Sequence, residues 1–76
     1  MDWRARIEID PDVLAGKPAV KGTRLSVEFV LSLLAEGWTE QQLLANYPSL
    51  HEQDVRACLA YAAEIIRDEM VYPILV

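Results

Sequence analysis

Apolar and charged residues alternate along residues 3–9. The apolar positions are Trp3, Ala5, Ile7 and Ile9, and the charged positions between them are Arg4, Arg6 and Glu8. A period of two places these sets on opposite faces of an extended chain, so we predict a half-buried β-strand. The strand should stop at residues 10–12, because Pro11 cannot donate to a ladder and the flanking aspartates favour a turn.

From residue 25 onward, apolar residues recur at intervals of three and four, which predicts helices. The first helix is predicted over residues 27–36, with Ser26 as its N-cap and Gly37 as its stop. The second begins after Thr39, because residues 39–42 have the composition of a capping box, and Pro48 ends it. The third is the longest and extends to about residue 69. It begins at Ser49 or at His51, since Ser49 and Glu52 would form a second capping box.

Residues 16–24, G-K-P-A-V-K-G-T-R, separate the alternating segment from the helices. Gly16, Pro18 and Gly22 exclude a helix here, so we predict a stiff loop. The loop presents three cations: Lys17, Lys21 and Arg24. Two interpretations stay open, a rigid connector between strand and helices or a contact with phosphates. A nucleotide-binding P-loop is excluded, because the spacing of the glycines and the position of the lysine do not match.

This loop is followed by an apolar helix, Gly37, Tyr47-Pro48 and the run D-V-R-A-C-L-A-Y-A at residues 54–62. The combination resembles the domain of unknown function 433 family, small bacterial and archaeal proteins regarded as antitoxin-like, over about residues 9–63. The resemblance implies a three-helix, homeodomain-like helix-turn-helix fold and an antitoxin that binds a PIN-type ribonuclease toxin. His51 departs from the family pattern, which usually has Ser or Thr there.

The expected fold is therefore mainly α, with three helices, a short N-terminal β-strand and an optional C-terminal strand. We expect one domain over residues 1–76. It divides into a strand and turn (1–15), a basic loop (16–24), three helices (26–69) and an apolar tail (70–76). So short a chain buries only about 60% of its unfolded surface, yet 53% of its residues are hydrophobic. Some apolar surface should therefore form an interface, and we predict a homodimer.

The net charge of −5 is unevenly distributed. Residues 1–24 hold five cations and four acids, whereas residues 25–76 hold two cations and eight acids. The basic half is weak for a nucleic-acid binder, so we expect DNA binding, if present, to be weak. The residues that would contact phosphates are Lys17, Lys21, Arg24, Arg4 and Arg6. Gln53 and Arg56 would read bases from the start of the third helix, where His51, Glu52 and Asp54 would also face the DNA.

The sequence predicts neither an enzyme nor a cofactor site. It has one histidine and one cysteine, and no nucleophile is paired with a base, so we expect no catalytic residue, no metal and no small-molecule substrate. The single cysteine, Cys58, excludes an internal disulfide and should be buried. No apolar run approaches the roughly 20 residues that span a membrane, and a cytoplasmic location is expected.

The tail at residues 70–76, M-V-Y-P-I-L-V, carries no charged side chain. We predict that it either pairs with the strand at residues 3–9 or docks on a partner protein through Tyr72, Ile74 and Leu75. Two functions follow. One is a dimeric antitoxin that neutralises a toxin nuclease, and the other is a DNA-binding transcriptional regulator with no toxin partner. The two can coexist in an antitoxin that represses its own operon.

Overall fold

The computed structural model describes residues 1–68. In chain order, the elements are a 3-10 turn (Trp3–Ala5), strand β1 (Ile7–Glu8), a second 3-10 turn (Leu14–Gly16), strand β2 (Ala19–Val20) and helices α1 (Val27–Ala35), α2 (Glu40–Asn46) and α3 (Glu52–Asp68). The strands pair antiparallel, with Ile7 opposite Val20. The predicted mainly α fold with three helices and a short N-terminal strand is confirmed. The predicted C-terminal strand lies outside the described residues.

Helix α1 begins and ends where the sequence predicts. The Ser26 hydroxyl accepts a hydrogen bond from the Phe29 N–H at 2.9 Å, which makes Ser26 the N-cap. At the other end Gly37 has a φ of +100°. Its N–H donates to the Leu34 carbonyl, and the next N–H, of Trp38, donates back to Leu33, each at 3.0 Å. This is a Schellman motif, which requires a left-handed residue and favours glycine.

Helix α2 is held by the predicted capping box. The Gln42 N–H donates to the Thr39 hydroxyl at 3.1 Å, and the Thr39 N–H donates to the Gln42 side chain at 2.8 Å. Tyr47 is the C-cap, and Pro48 follows it. Both predicted boundaries of this helix are confirmed.

The predicted capping box of Ser49 and Glu52 is wrong. Helix α3 starts at Glu52, directly after His51, whose N–H donates to the Asp54 carboxylate at 2.8 Å. Leu50 is buried, and its N–H donates to the Tyr47 carbonyl at 2.9 Å. Residues 47–50 are therefore held in a turn, which prevents the helix from starting at Ser49.

The strand predicted over residues 3–9 is only two residues long. Its first half forms a 3-10 turn instead, capped by the Asp2 carboxylate, which accepts from the Arg4 N–H at 3.0 Å. The Trp3 ring packs edge-on against Tyr61 of α3, with 4.8 Å between the ring centroids. The predicted apolar face fails at Ile9, which is 57% exposed. Packing on α3 thus overrides the alternating pattern.

The predicted loop at residues 16–24 contains strand β2, and Gly16 closes the second 3-10 turn. Two backbone bonds join this segment to its neighbours. The Lys21 N–H donates to the Arg6 carbonyl at 2.8 Å, and the Val27 N–H donates to the Pro18 carbonyl at 2.9 Å. The segment therefore connects the N-terminal sheet with α1. This agrees with its interpretation as a rigid connector.

The core lies between the small sheet and the three helices. Its buried apolar residues are Ile7, Val20, Val27, Val30, Leu43, Leu50, Val55, Ala57 and Cys58. Cys58 is fully buried, which confirms the prediction. Within residues 1–68, no helix combines the length and apolarity that crossing a bilayer would require.

Candidate functional site

Arg6 forms hydrogen bonds with Gln53 and Asp54, two residues at the start of α3 that the sequence analysis placed toward DNA. Its Nη1 lies 2.9 Å from Oδ1 of Asp54, and its Nη2 donates to Oε1 of Gln53 at 2.8 Å. Asp54 is only 3% exposed. The prediction that Asp54 faces the bases is therefore wrong, because its carboxylate points inward to Arg6 and the His51 N–H. Arg6 and Gln53 are engaged with each other.

Arg4 lies on the outside of the N-terminal turn. Its guanidinium is 4.5 Å from the centroid of the Trp3 ring, and its Nη2 is 3.4 Å from the Glu64 carboxylate. The same carboxylate accepts from the indole N–H of Trp3 at 2.9 Å. Exposed ion pairs of this kind are weak, so Arg4 can exchange partners at little cost.

Arg56 lies on the exposed surface of α3, as predicted. Its Nη2 is 2.7 Å from the carboxylate of Glu52, one helical turn earlier. Both side chains are more than half exposed. An i,i+4 pair in solvent is worth only about 0.3–0.5 kcal/mol, so a phosphate could displace it.

Of the three loop cations, Lys17 and Arg24 share a hollow that Lys21 does not line. Lys21 donates from Nζ to the Arg4 carbonyl at 3.0 Å and lines a polar hollow of about 340 Å³ with Arg6 and His51. Arg24 lines a different hollow, together with the acids Glu8 and Asp12. Lys17 lies at the rim of an apolar groove. Among residues 1–68, Lys17 and Arg24 form no ion pair.

The structure thus brings together only part of the predicted DNA surface. Arg6, Lys21 and Gln53 are linked by hydrogen bonds near the start of α3, whereas the Arg4 guanidinium lies at Glu64, further along the helix. Three arginines, however, each have a carboxylate as partner, which cancels much of their field toward a phosphate. The result is a mixed-charge surface.

A groove lined mainly by apolar side chains lies between α1 and α3. We call it the α1/α3 groove, and its volume is about 580 Å³. Its apolar lining side chains are Pro18, Val27, Leu31, Ala35, Tyr61, Ala62, Ile65 and Ile66. Ile65 and Ile66 are 38% and 59% exposed, so the groove leaves large aliphatic side chains in water. Apolar surface of this kind typically marks an interaction site.

Sequence reasoning did not find this groove. Helical spacing identifies Ile65 and Ile66 only as apolar positions of the third helix and does not show what they pack against. The core ends at Cys58 on α3, apart from the partly buried Tyr61 that packs against it. Two consecutive isoleucines, in a helix longer than the core of so small a chain, were the sequence feature that could have indicated the groove.

Cys58 is a free cysteine buried in the core. Burial raises the pKa of the Cys58 thiol to about 12, and the nearby Asp54 carboxylate contributes to the rise. A thiol with such a pKa is a poor nucleophile. In the part of the chain that the structure describes, no three His, Cys, Asp or Glu residues lie together as metal ligands. Tyr72, Ile74 and Leu75, the predicted partner contacts, lie outside this part.

Comparison with known proteins gives consistent matches. The model of the family described as "Protein of unknown function (DUF433)" matches residues 7–62. An uncharacterised protein of Sinorhizobium fredii, y4eO, is 36% identical over 59 residues, which are 78% of this chain but 27% of that protein. The chain therefore spans about a quarter of this relative's length. The crystal structure of a DUF433 member from Anabaena variabilis superposes with a TM-score of 0.72 at 31% identity, covering 88% of this chain and 69% of that one.

Proposed function

The chain belongs to the DUF433 family, and we propose that it is a protein-interaction module, the antitoxin of a type II toxin-antitoxin pair. In this proposal it binds a PIN-like ribonuclease toxin through the α1/α3 groove. The proposed interaction role is based on this groove and its exposed apolar side chains. The resemblance of the loop and helices to antitoxin-like proteins supplies the class of partner.

The chemistry of the groove favours a protein segment as its occupant. Its walls are aliphatic and aromatic, and its polar side chains, such as Lys17, Glu28 and Ser32, belong to residues exposed to solvent. A small-molecule site usually has a few polar groups that converge to orient the ligand. An apolar helix or extended segment needs only a complementary groove, which the facing sides of α1 and α3 supply.

The alternative is a DNA-binding transcriptional regulator with no toxin partner. Its support is the order of α2, the turn at residues 47–50 and α3, which has helix-turn-helix proportions, together with the exposed Lys17 and Arg24. It ranks second because Arg6 and Gln53 bind each other and Asp54 is buried. Operator binding can still accompany the antitoxin role.

Two further expectations belong to this proposal. The antitoxin is a homodimer, because a small chain leaves Ile9 and Phe29 exposed in addition to the groove. It acts in the cytoplasm, where a single reduced cysteine is ordinary.

The test uses the product of the adjacent gene, if that gene encodes a short PIN-like nuclease. Its affinity is measured by calorimetry for the wild type, Ile66→Glu and the control Leu59→Glu. The two residues are similarly exposed on α3, at 59% and 51%, but only Ile66 lines the groove. A buried charge should weaken binding at least about tenfold in Ile66→Glu.

Two results would contradict the proposal. Equal affinities of wild type and Ile66→Glu would show that the groove is not the contact. Nuclease activity that the wild-type chain leaves uninhibited would remove the antitoxin role. Leu59→Glu should bind as the wild type does, since Leu59 lies about 10 Å further back along the helix.

A further inference from the structure

We propose that the partner segment bound in the α1/α3 groove is acidic at one end, where its carboxylates contact Lys17 and Arg24. The inference rests on the proposed function in one respect, since it uses the groove assigned there. Its basis is a second hollow of about 530 Å³, which shares Lys17 and Ser26 with the groove. We call it the Lys17/Arg24 hollow. A segment that continues from the groove past Ser26 therefore enters a site lined by two cations.

The Lys17/Arg24 hollow combines positive charge with apolar walls. Both cations are exposed. The large apolar side chains beside them are Leu14, Leu25 and Phe29, and the Phe29 ring is 38% exposed. A peptide in which a carboxylate stands next to an aliphatic or aromatic side chain matches both features. Burial of its apolar group supplies affinity, and the ion pairs select which peptide is accepted.

The local charge is opposite to the charge of the chain as a whole. The net charge is −5, and residues 25–76 hold eight acids and two cations. The residues that line the groove and the hollow nevertheless include two cations and one acid, Glu28. Ser26, the N-cap of α1, lies where the two meet, so the positive end of this helix is also at the junction. An acidic segment is therefore favoured over a basic one.

Arg24 is available to a partner although two acids lie near it. Glu8 and Asp12 line a further hollow together with Arg24, but within residues 1–68 neither forms an ion pair with it. An arginine can donate two parallel N–H bonds to one carboxylate, which gives it both attraction and geometric selectivity. The guanidinium of Arg24 can therefore bind a carboxylate from outside the chain.

The backbone before Lys17 is held in an unusual conformation. Leu14 and Ala15, which line the hollow, have φ angles of +50° and +55°. Left-handed geometry is unfavourable for residues other than glycine and occurs preferentially at ligand-binding sites. The Lys17 N–H donates to the Leu14 carbonyl at 3.1 Å and closes this turn. The turn thus fixes the backbone of Lys17 at the junction of groove and hollow, so that less entropy is lost when a partner binds.

The experiment titrates the isotope-labelled full-length protein with two synthetic amphipathic peptides that have the same leucine face. One peptide carries glutamates at both ends, and the other carries lysines there. Amide NMR signals of Leu31 and Ile65 report on the groove, and those of Leu25 and Phe29 report on the hollow. The acidic peptide should shift both sets of signals and should bind at least about fivefold more tightly than the basic peptide at low ionic strength.

The variants Lys17→Gln and Arg24→Gln should each reduce this preference, and the double variant should remove most of it. Lys21→Gln is the matched control, because Lys21 is an exposed cation of the same loop but lines neither the groove nor the hollow. It should keep the preference of the wild type. All three side chains are exposed, so the variants should remain folded.

Four results would overturn the inference. The first is equal affinity for the two peptides, and the second is the absence of shifts at Leu25 and Phe29 on addition of the acidic peptide. The third is a loss of preference in Lys21→Gln as large as in Arg24→Gln, which would show only the effect of overall charge. The fourth is that a DNA duplex, but not the acidic peptide, shifts Leu25 and Phe29, which would assign the two cations to phosphates.

The failure of this inference can be distinguished from the failure of the proposed function. If Ile66→Glu weakens toxin binding but the double variant of Lys17 and Arg24 binds the toxin as the wild type does, the proposed function stands and this inference fails. If the acidic peptide is preferred as expected but the toxin does not bind, the hollow selects acidic segments and the antitoxin role fails.

Discussion

Arg6 and Asp54 lie 48 positions apart in the chain, yet the Arg6 guanidinium is 2.9 Å from the Asp54 carboxylate. The same carboxylate accepts the His51 N–H at 2.8 Å. One buried acid therefore caps α3 and attaches the N-terminal segment to it. Asp54 is the one buried charged side chain among residues 1–68.

We predict that Asp54→Ala lowers the free energy of unfolding by about 3 kcal/mol, because it removes the helix cap and leaves Arg6 without its partner. Arg6→Ala should cost less, about 2 kcal/mol, since its side chain is one-third exposed and partly screened. Urea unfolding of the single and double variants gives the coupling energy, expected above about 1 kcal/mol. The exposed Arg56 and Glu52 pair is the control, and an equal coupling in both pairs would contradict the prediction.

Gly37 should resist substitution. Its φ of +100° is unfavourable for a side chain, although a Cβ at this position would meet no atom within 4 Å. Gly37→Ala should therefore lower the free energy of unfolding by about 1–2 kcal/mol through backbone strain alone. Gly37→Asn should cost less, because asparagine tolerates left-handed geometry better. If thermal unfolding shows Gly37→Ala to be as stable as the wild type, the Schellman motif does not hold the end of α1.

Stability should depend on alkaline pH through Cys58. Its pKa is raised from 9.0 to about 12 in the folded protein, so the unfolded chain loses this proton first as pH rises. Folding stability is unaffected below about pH 9 and falls between pH 9 and 12, by about 1.4 kcal/mol at pH 10. The Cys58→Ala variant lacks this component, so the difference between the two proteins in urea unfolding at pH 8 and pH 10 isolates it. A constant difference would show that the thiol titrates normally.

Any DNA binding should be weak and strongly salt-dependent. Lys17, Lys21 and Arg24 are exposed, and about three phosphate contacts would give a logarithmic salt slope near −3. The double charge reversal Lys21→Glu with Arg24→Glu should abolish binding to all sequences in fluorescence anisotropy. Gln53→Ala should have little effect, since Gln53 accepts from Arg6. Sequence-specific binding that survives the double reversal would mean that another surface contacts the DNA.

We predict a homodimer at micromolar concentration. Exposed apolar side chains remain outside the groove at Ile9 and Phe29, and a dimer that covers them would bury more apolar surface than the small chain buries alone. Sedimentation velocity should give about twice the mass of one chain, decreasing on dilution. A soluble monomer at every concentration would refute this prediction.

Local sequence signals were sufficient to predict the ends of α1 and α2. Ser26, Gly37 and the box of Thr39 and Gln42 act within one helical turn, so their neighbours along the chain alone determine what they do. Cys58 could be assigned to the interior for a similar reason, because its apolar neighbours recur at helical spacing. The predicted three-helix organisation followed from these signals.

The N-terminal segment depended on contacts between distant residues, and the start of α3 depended on a turn that the capping pattern did not indicate. The alternation at residues 3–9 is compatible with a strand, but the Trp3 ring gains more by packing on Tyr61, and only two residues remain extended. Ser49 and Glu52 have the spacing of a capping box, but Ser49 lies in the turn at residues 47–50. The helix is capped instead where the His51 N–H donates to the Asp54 carboxylate.

The candidate site was decided almost entirely by tertiary structure. The sequence identifies Arg4, Arg6 and Gln53 as polar residues on predicted outer faces, but only the fold brings carboxylates to the two arginines. The sequence identifies Ile65 and Ile66 as apolar. Only the fold shows that α3 extends beyond the core, so that these two side chains line the groove beside α1. Helical periodicity records which residues share a face, whereas the partner of that face is set by packing between elements far apart in the chain.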